Sequence, residues 1–77
     1  MSEARTELET IYVELLNEGT KCWRPVLANP LGKGRYRIMS KPEEDERWAF
    51  TTDDVVACKN HVFQDGNSGL IAFEKCT

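Results

Sequence analysis

Cys22-Trp23-Arg24-Pro25-Val26-Leu27-Ala28, Asn29-Pro30-Leu31-Gly32-Lys33-Gly34 and Arg35-Tyr36-Arg37-Ile38-Met39 follow one another along the chain. They read as strand, loop and strand. Arg35-Tyr36-Arg37-Ile38 alternates, which turns Tyr36 and Ile38 to a core and both arginines to solvent. Pro25 removes a ladder donor and holds Arg24 extended, as at a sheet edge or a bulge. The same region is the basic part of the chain. From Gly19 to Pro42 it carries Lys21, Arg24, Lys33, Arg35, Arg37 and Lys41 and no acid, in a protein whose net charge is −3.

On the N-terminal side, Glu9-Thr10-Ile11-Tyr12-Val13-Glu14-Leu15-Leu16 admits two readings. Ile11, Val13 and Leu15 alternate as a strand requires, and β-branched and aromatic residues dominate the centre. Leu8, Ile11, Tyr12, Leu15 and Leu16 also share a helical face, with Thr6 and Glu9 at capping-box spacing. The strand is preferred and a short N-terminal helix stays open. Asn17-Glu18-Gly19-Thr20 reads as a turn, with Gly19 free to take a positive φ.

On the C-terminal side, Lys41 to Glu46 reads as a solvated loop and Arg47-Trp48-Ala49-Phe50 as a short strand with Trp48 and Phe50 on one face. Thr51 to Asp54 reads as a turn or one helical turn, with threonine side chains capping amides. Val55-Val56-Ala57-Cys58-Lys59 and Leu70 to Cys76 are strands either side of the Gln64-Asp65-Gly66-Asn67-Ser68-Gly69 turn cluster. The expected fold is mainly β, a small barrel of five or six strands. Residues 1–8 are expected as a flexible tail and 9–77 as one domain. Short strands in so small a chain must curl on themselves to cover their apolar face.

Composition narrows the class. At 77 residues there is room for one small domain with a thin core. An apolar fraction of 40% is too rich for a disordered chain. No apolar run approaches the ~20 residues of a membrane-crossing helix. The polar start Met1-Ser2-Glu3-Ala4-Arg5 lacks the apolar stretch of a secretion signal. Cys22, Cys58 and Cys76 are odd in number and widely spaced, which fits reduced thiols and a cytoplasmic location.

Leu15-Leu16-Asn17-Glu18-Gly19-Thr20-Lys21-Cys22-Trp23-Arg24-Pro25-Val26, followed by Gly34-Arg35-Tyr36-Arg37-Ile38, by Trp48-Ala49-Phe50 and by Asp54-Val55-Val56-Ala57-Cys58, resembles a family of short bacterial proteins without assigned chemistry. Their pattern runs roughly L-L-x-E-G-T-x-x-W-R-P-V, G-x-Y-R-I, W-x-F and D-V-V-x-C. The resemblance spans about Tyr12 to Cys58 and implies a small Src-homology-3-like (SH3-like) barrel. It implies no activity. Thr52-Asp53 stands where that pattern has Pro-Gly.

Sites of known chemistry are poorly represented. Three cysteines and His61 make a conceivable zinc set, but close Cys pairs are missing and no metal or other cofactor is expected. Cys58 with His61 would need an orienting third group and a pocket to act as nucleophile and base, so no enzyme is expected. Leu31-Gly32-Lys33-Gly34 lacks the phosphate-loop pattern. Glu43-Glu44-Asp45-Glu46 lacks the ligand alternation of a calcium loop and reads as solvated charge, able to neutralise the basic strand in cis. Trp23, Trp48 and Tyr36 are most simply core anchors; an aromatic groove between the Asn17–Lys21 and Thr51–Asp54 turns is the sharper alternative.

The function expected is therefore a non-catalytic module that binds another protein, with Trp23, Arg24, Lys33, Arg35 and Arg37 as candidate contacts. Two other functions compete. One is an inhibitor or immunity-type protein that covers a basic target with Glu43–Glu46 and Asp53–Asp54. The other is weak single-stranded nucleic-acid binding with Tyr36 or Trp23 stacking on bases, which the acidic flanks oppose. No membrane partner is expected, and a monomer or a weak dimer paired through an edge strand is.

Overall fold

The computed structural model describes residues 8–16, 19 and 21–76. Five strands, β1 (Glu9–Leu15), β2 (Cys22–Gly32), β3 (Arg35–Ile38), β4 (Val55–Val62) and β5 (Ser68–Cys76), form one closed barrel in chain order. Successive strands pair antiparallel. The ring closes where β1 meets β5 in parallel, with Tyr12 opposite Ile71. The N-terminal segment is thus a strand, and no helix occurs among the described residues. The expected tail lies outside the described residues apart from Leu8, as do Asn17, Glu18 and Thr20 of the first turn. Gly19 of that turn does take a positive φ of 77°.

β2 is longer than its sequence promised. The expected loop at Asn29–Gly34 is mostly strand, because β2 changes partner along its length. Cys22 to Ala28 pair with β1, and Ala28 to Gly32 pair with β3. The prolines fit because each turns its missing donor away from the neighbour it pairs with. Leu27 gives its N–H to Ser40 Oγ and accepts at its carbonyl from the Met39 N–H, both at 2.9 Å, so it faces away from β1. Pro25, two residues earlier, faces the same way, and Pro30 lies beyond the end of β1. Only Lys33-Gly34 remain as the turn, with φ of 60° and 77°. Two consecutive positive φ angles between opposed Gly32 and Arg35 make a type I′ hairpin turn. Gly32, at φ 90°, accommodates the shifted register next to it.

Ile11, Val13, Val26, Ala28, Ile38, Trp48, Val56 and Ala72 form the core, with Leu15, Tyr36, Phe50, Cys58 and Leu70 packed on it. Ile11, Val13, Ile38 and Val56 are fully buried, each contributing about 1.5–3 kcal/mol of transfer free energy. Tyr36 and Ile38 take the inner face as their alternation requires. The hydroxyl of Tyr36 is harder to ionise than an ordinary phenol, first through burial and then through the carboxylate of Glu9 to which it hydrogen-bonds.

The segment between β3 and β4 closes one end of the barrel. Arg47 to Phe50 is not a strand, since it contributes one bridge, Trp48 opposite Leu15. The Leu16 N–H donates to the Arg47 carbonyl at 2.7 Å, and the Ala49 N–H donates to the Glu14 carbonyl at 2.9 Å. This brings Trp48 into the open end of the core, 9% exposed, with its indole N–H donating to Glu46 Oε1 at 3.0 Å. The chain then turns back at Thr51–Asp54. The Asp54 N–H donates to the Thr51 carbonyl at 3.0 Å, and Asp53 takes φ 71°, giving a type II turn rather than a helical one. Its side chains also work differently from the expected threonine caps. Asp54 Oδ2 accepts from the Thr51 N–H, and the Thr52 hydroxyl donates to the Ser40 carbonyl.

Candidate functional site

Alternation along β2 decides where Trp23 goes. Val26 and Ala28 are buried, so Trp23, Pro25 and Leu27 project from the outer surface. Trp23 is therefore not a core anchor, unlike Trp48 and Tyr36. Tyr12 projects outward from β1 between buried Ile11 and Val13, Phe63 of the loop after β4 meets it, and His61 of β4 meets Phe63. The ring centroids of Trp23 and His61 are 5.7 Å apart, those of His61 and Phe63 5.0 Å, and those of Tyr12 and Phe63 4.9 Å. Four rings thus make a continuous aromatic patch over the seam between β1 and β5.

Gly69 makes this packing possible. A Cβ at that position would lie 2.7 Å from a ring carbon of Tyr12 and 3.3 Å from one of Phe63. The missing side chain is the slot in which the Tyr12 ring rests. The loop that carries Phe63 is fixed by its own hydrogen bonds. The Phe63 N–H donates to the Asn67 carbonyl at 2.7 Å, and the Asp65 carboxylate accepts from both the backbone and side-chain amides of Asn67 at 3.0 Å.

Two hollows flank the Trp23–His61 ridge. One, of about 410 Å³, is bounded by Lys21, Trp23 and the His61–Gln64 segment. The other, of about 390 Å³, lies on the far side of the ridge, with Phe50, Lys59, Ile71 and Phe73 among its walls. Both are open clefts bounded by Lys21. That lysine sits 3.7 Å from Glu14 and 5.8 Å from the Trp23 ring centroid, and Lys59 stands 5.1 Å from the Phe73 ring centroid. The described groove runs between Lys21–Trp23 and the end of the β4–β5 hairpin, while Asn17, Glu18 and Thr20 of the first expected turn lie outside the described residues. Phe50, just before the second expected turn, reaches its wall.

The five candidate contacts are not one site. Trp23 lies in the groove. Arg24 has the opposite orientation and pairs with Glu46 at 3.6 Å, the same carboxylate that holds Trp48. Lys33 sits at the hairpin tip, and Arg35 and Arg37 project from the outer face of β3. Asn29, opposite Arg37, is six residues along β2 from Trp23, or about 20 Å of strand. The acidic loop reaches only Arg24, since no described carboxylate pairs with Lys33, Arg35 or Arg37.

Cys58 and His61 are three residues apart on β4, which puts them on opposite faces. Cys58 packs against the core, and burial, with Cys76 adding to it, pushes its thiol up to about 11. A thiol held in this way is a poor nucleophile. Among the described residues no three His, Cys, Asp or Glu side chains gather as metal ligands.

Protein-family models, curated proteins and solved structures offer no match to this chain. Function has to come from the site's own chemistry. Tyr12, His61 and Phe63 were not recognised from the sequence as partners of Trp23. The signal was present: His61 and Phe63 are two apart and share a face, and counting back from Leu27 in steps of two places Trp23 outside.

Proposed function

We propose that this domain is a small non-catalytic protein-interaction module, SH3-like in architecture and cytoplasmic, that holds an extended segment of another protein across the Trp23–His61 ridge. The observation that carries it is Trp23 itself, a tryptophan left on the outer surface beside His61 and Phe63 with a hollow on either side. Trp23 is half-buried against the domain, and a partner that covers it buries the accessible part of the indole at little cost in side-chain ordering. An extended chain crossing the ridge can drop one side chain into each hollow while its backbone passes over the rings. Lys21 and Lys59 beside the clefts favour a segment with at least one acid. The odd, widely spaced cysteines support the reducing compartment.

The test is capture from the native host with tagged wild-type chain and with Trp23→Ala, followed by a direct affinity measurement on the protein retained. A partner held by wild type and lost by a folded Trp23→Ala is the result expected. Equal retention by both would remove the groove as the interface.

A further inference from the structure

Across the ring from the aromatic seam, β3 is separated from β1 by β2 and from β5 by β4. Its outer face is built quite differently. Opposed residues form two rows there. Asn29, Arg37, Val55 and Cys76 make one; Gly32, Arg35, Ala57 and Glu74 make the other. Arg35 and Arg37 stand about 7 Å apart along the strand, with Lys33 at the turn beside them. All three are exposed, and no described carboxylate pairs with them. Between the arginines and β5 lie only Val55 and Ala57, so nothing bulky crowds the guanidinium groups. Large apolar side chains flank them: Leu27, Leu31 and Met39 are 47%, 45% and 44% exposed. Leu27 and Met39 are adjacent, joined by the Met39 N–H to Leu27 carbonyl bond at 2.9 Å.

We infer that this β2–β3 face is a second docking surface, for an acidic amphipathic helix of a partner protein, and that the domain can hold two partner segments at once on different sides of its ring. The second surface stands on its own residues and does not depend on the groove. Charge complementarity sets the sign of the occupant, because unpaired arginines offer bidentate contacts to carboxylates. The apolar residues set its other half, since Leu27, Leu31 and Met39 need an apolar stripe to cover them. β3 is hydrogen-bonded on both sides, so an added strand has no edge to join. A helix lying across side chains is a recognition mode that needs no edge, and its two faces can carry acids and an apolar stripe together. A nucleic-acid strand fits less well: three cations with Glu74 in the same row make a weak phosphate track, and the leucines and methionine would go uncovered.

Peptide display against the intact chain tests it, with Arg35→Gln/Arg37→Gln as counter-bait and affinities then measured on the selected peptides. The near-isosteric glutamines keep the surface shape, and circular dichroism checks the fold. Arg35→Lys/Arg37→Lys serves as the second variant. The expected peptides carry Asp or Glu with apolar residues three and four apart. They should bind the glutamine variant about tenfold or more weakly (~1.4 kcal/mol), bind the lysine variant with intermediate strength, and bind Trp23→Ala as well as wild type. Three results would overturn the inference: selected peptides without acidic enrichment, acidic peptides indifferent to the arginines, or acidic peptides lost with Trp23. Displacement of the selected peptides from wild type by oligothymidylate, with saturable binding of that oligonucleotide, would overturn it in favour of nucleic acid.

Discussion

Gly69 has no side chain, and the Tyr12 ring occupies the space one would fill. Gly69→Ala should therefore unseat Tyr12 from the β1–β5 seam and lower stability by about 1–3 kcal/mol, read from urea unfolding. An unchanged midpoint would mean that the ring can move aside freely. Cys58 offers a second test at this scale. Its thiol is pushed up to about 11 from an ordinary 9.0, first by burial and then by Cys76. The folded chain keeps this proton at a pH where the unfolded chain loses it. Its contribution is thus complete below pH 9.0 and is lost as pH rises towards about 11. Urea midpoints should fall across that window in wild type and fall less in Cys58→Ala. Inside and outside were legible at this scale wherever strands alternate, as with Tyr36 and Ile38 against Arg35 and Arg37. Trp23 was hidden by its own apolar bulk, which suggests a core while its register puts it on the surface.

Strand β1 could be read because Ile11, Val13 and Leu15 fall at every second position, and the ends of β4 and β5 because short apolar runs stand either side of a turn cluster. The β2–β3 hairpin could be read as two strands and a reversal, but with too long a loop. Pro30, Gly32 and Gly34 are the residues that ordinarily mark a loop, yet here they fit a strand that changes partner, a register shift and a two-residue turn. Gly34 has open space around it, and a Cβ there would meet only the Cys58 carbonyl, at 4.0 Å. Gly34→Ala should therefore cost only the backbone penalty of a left-handed residue, about 1–2 kcal/mol. A drop within that range in thermal unfolding, without loss of strand content by circular dichroism, is the expected outcome. No loss would mean that the turn is not type I′. Trp48 was read correctly as core and its neighbours wrongly as strand, because the segment is held by a single bridge and crossing hydrogen bonds that leave no periodic trace.

Ring closure is the property of the whole molecule that local pattern conveys least. It rests on Tyr12 meeting Ile71 and on residues 47–49 meeting β1, contacts between parts of the chain far apart in sequence. Closure is also what separates the two tryptophans. Trp48 fills the barrel end, while Trp23 is left over the seam with His61 and Phe63. The aromatic groove was only half legible for the same reason, since it needs side chains from β1, β2, β4 and β5 brought together by the closed ring. Trp48 thus belongs to the core and Trp23 to the outer surface, where the proposed function places the contact. The most direct test is urea unfolding of Trp23→Ala and Trp48→Ala side by side with wild type. Trp48→Ala should lose about 3–5 kcal/mol, and Trp23→Ala less than about 1 kcal/mol. Equal, large losses in both would contradict this division of roles, because Trp23 would then belong to the core.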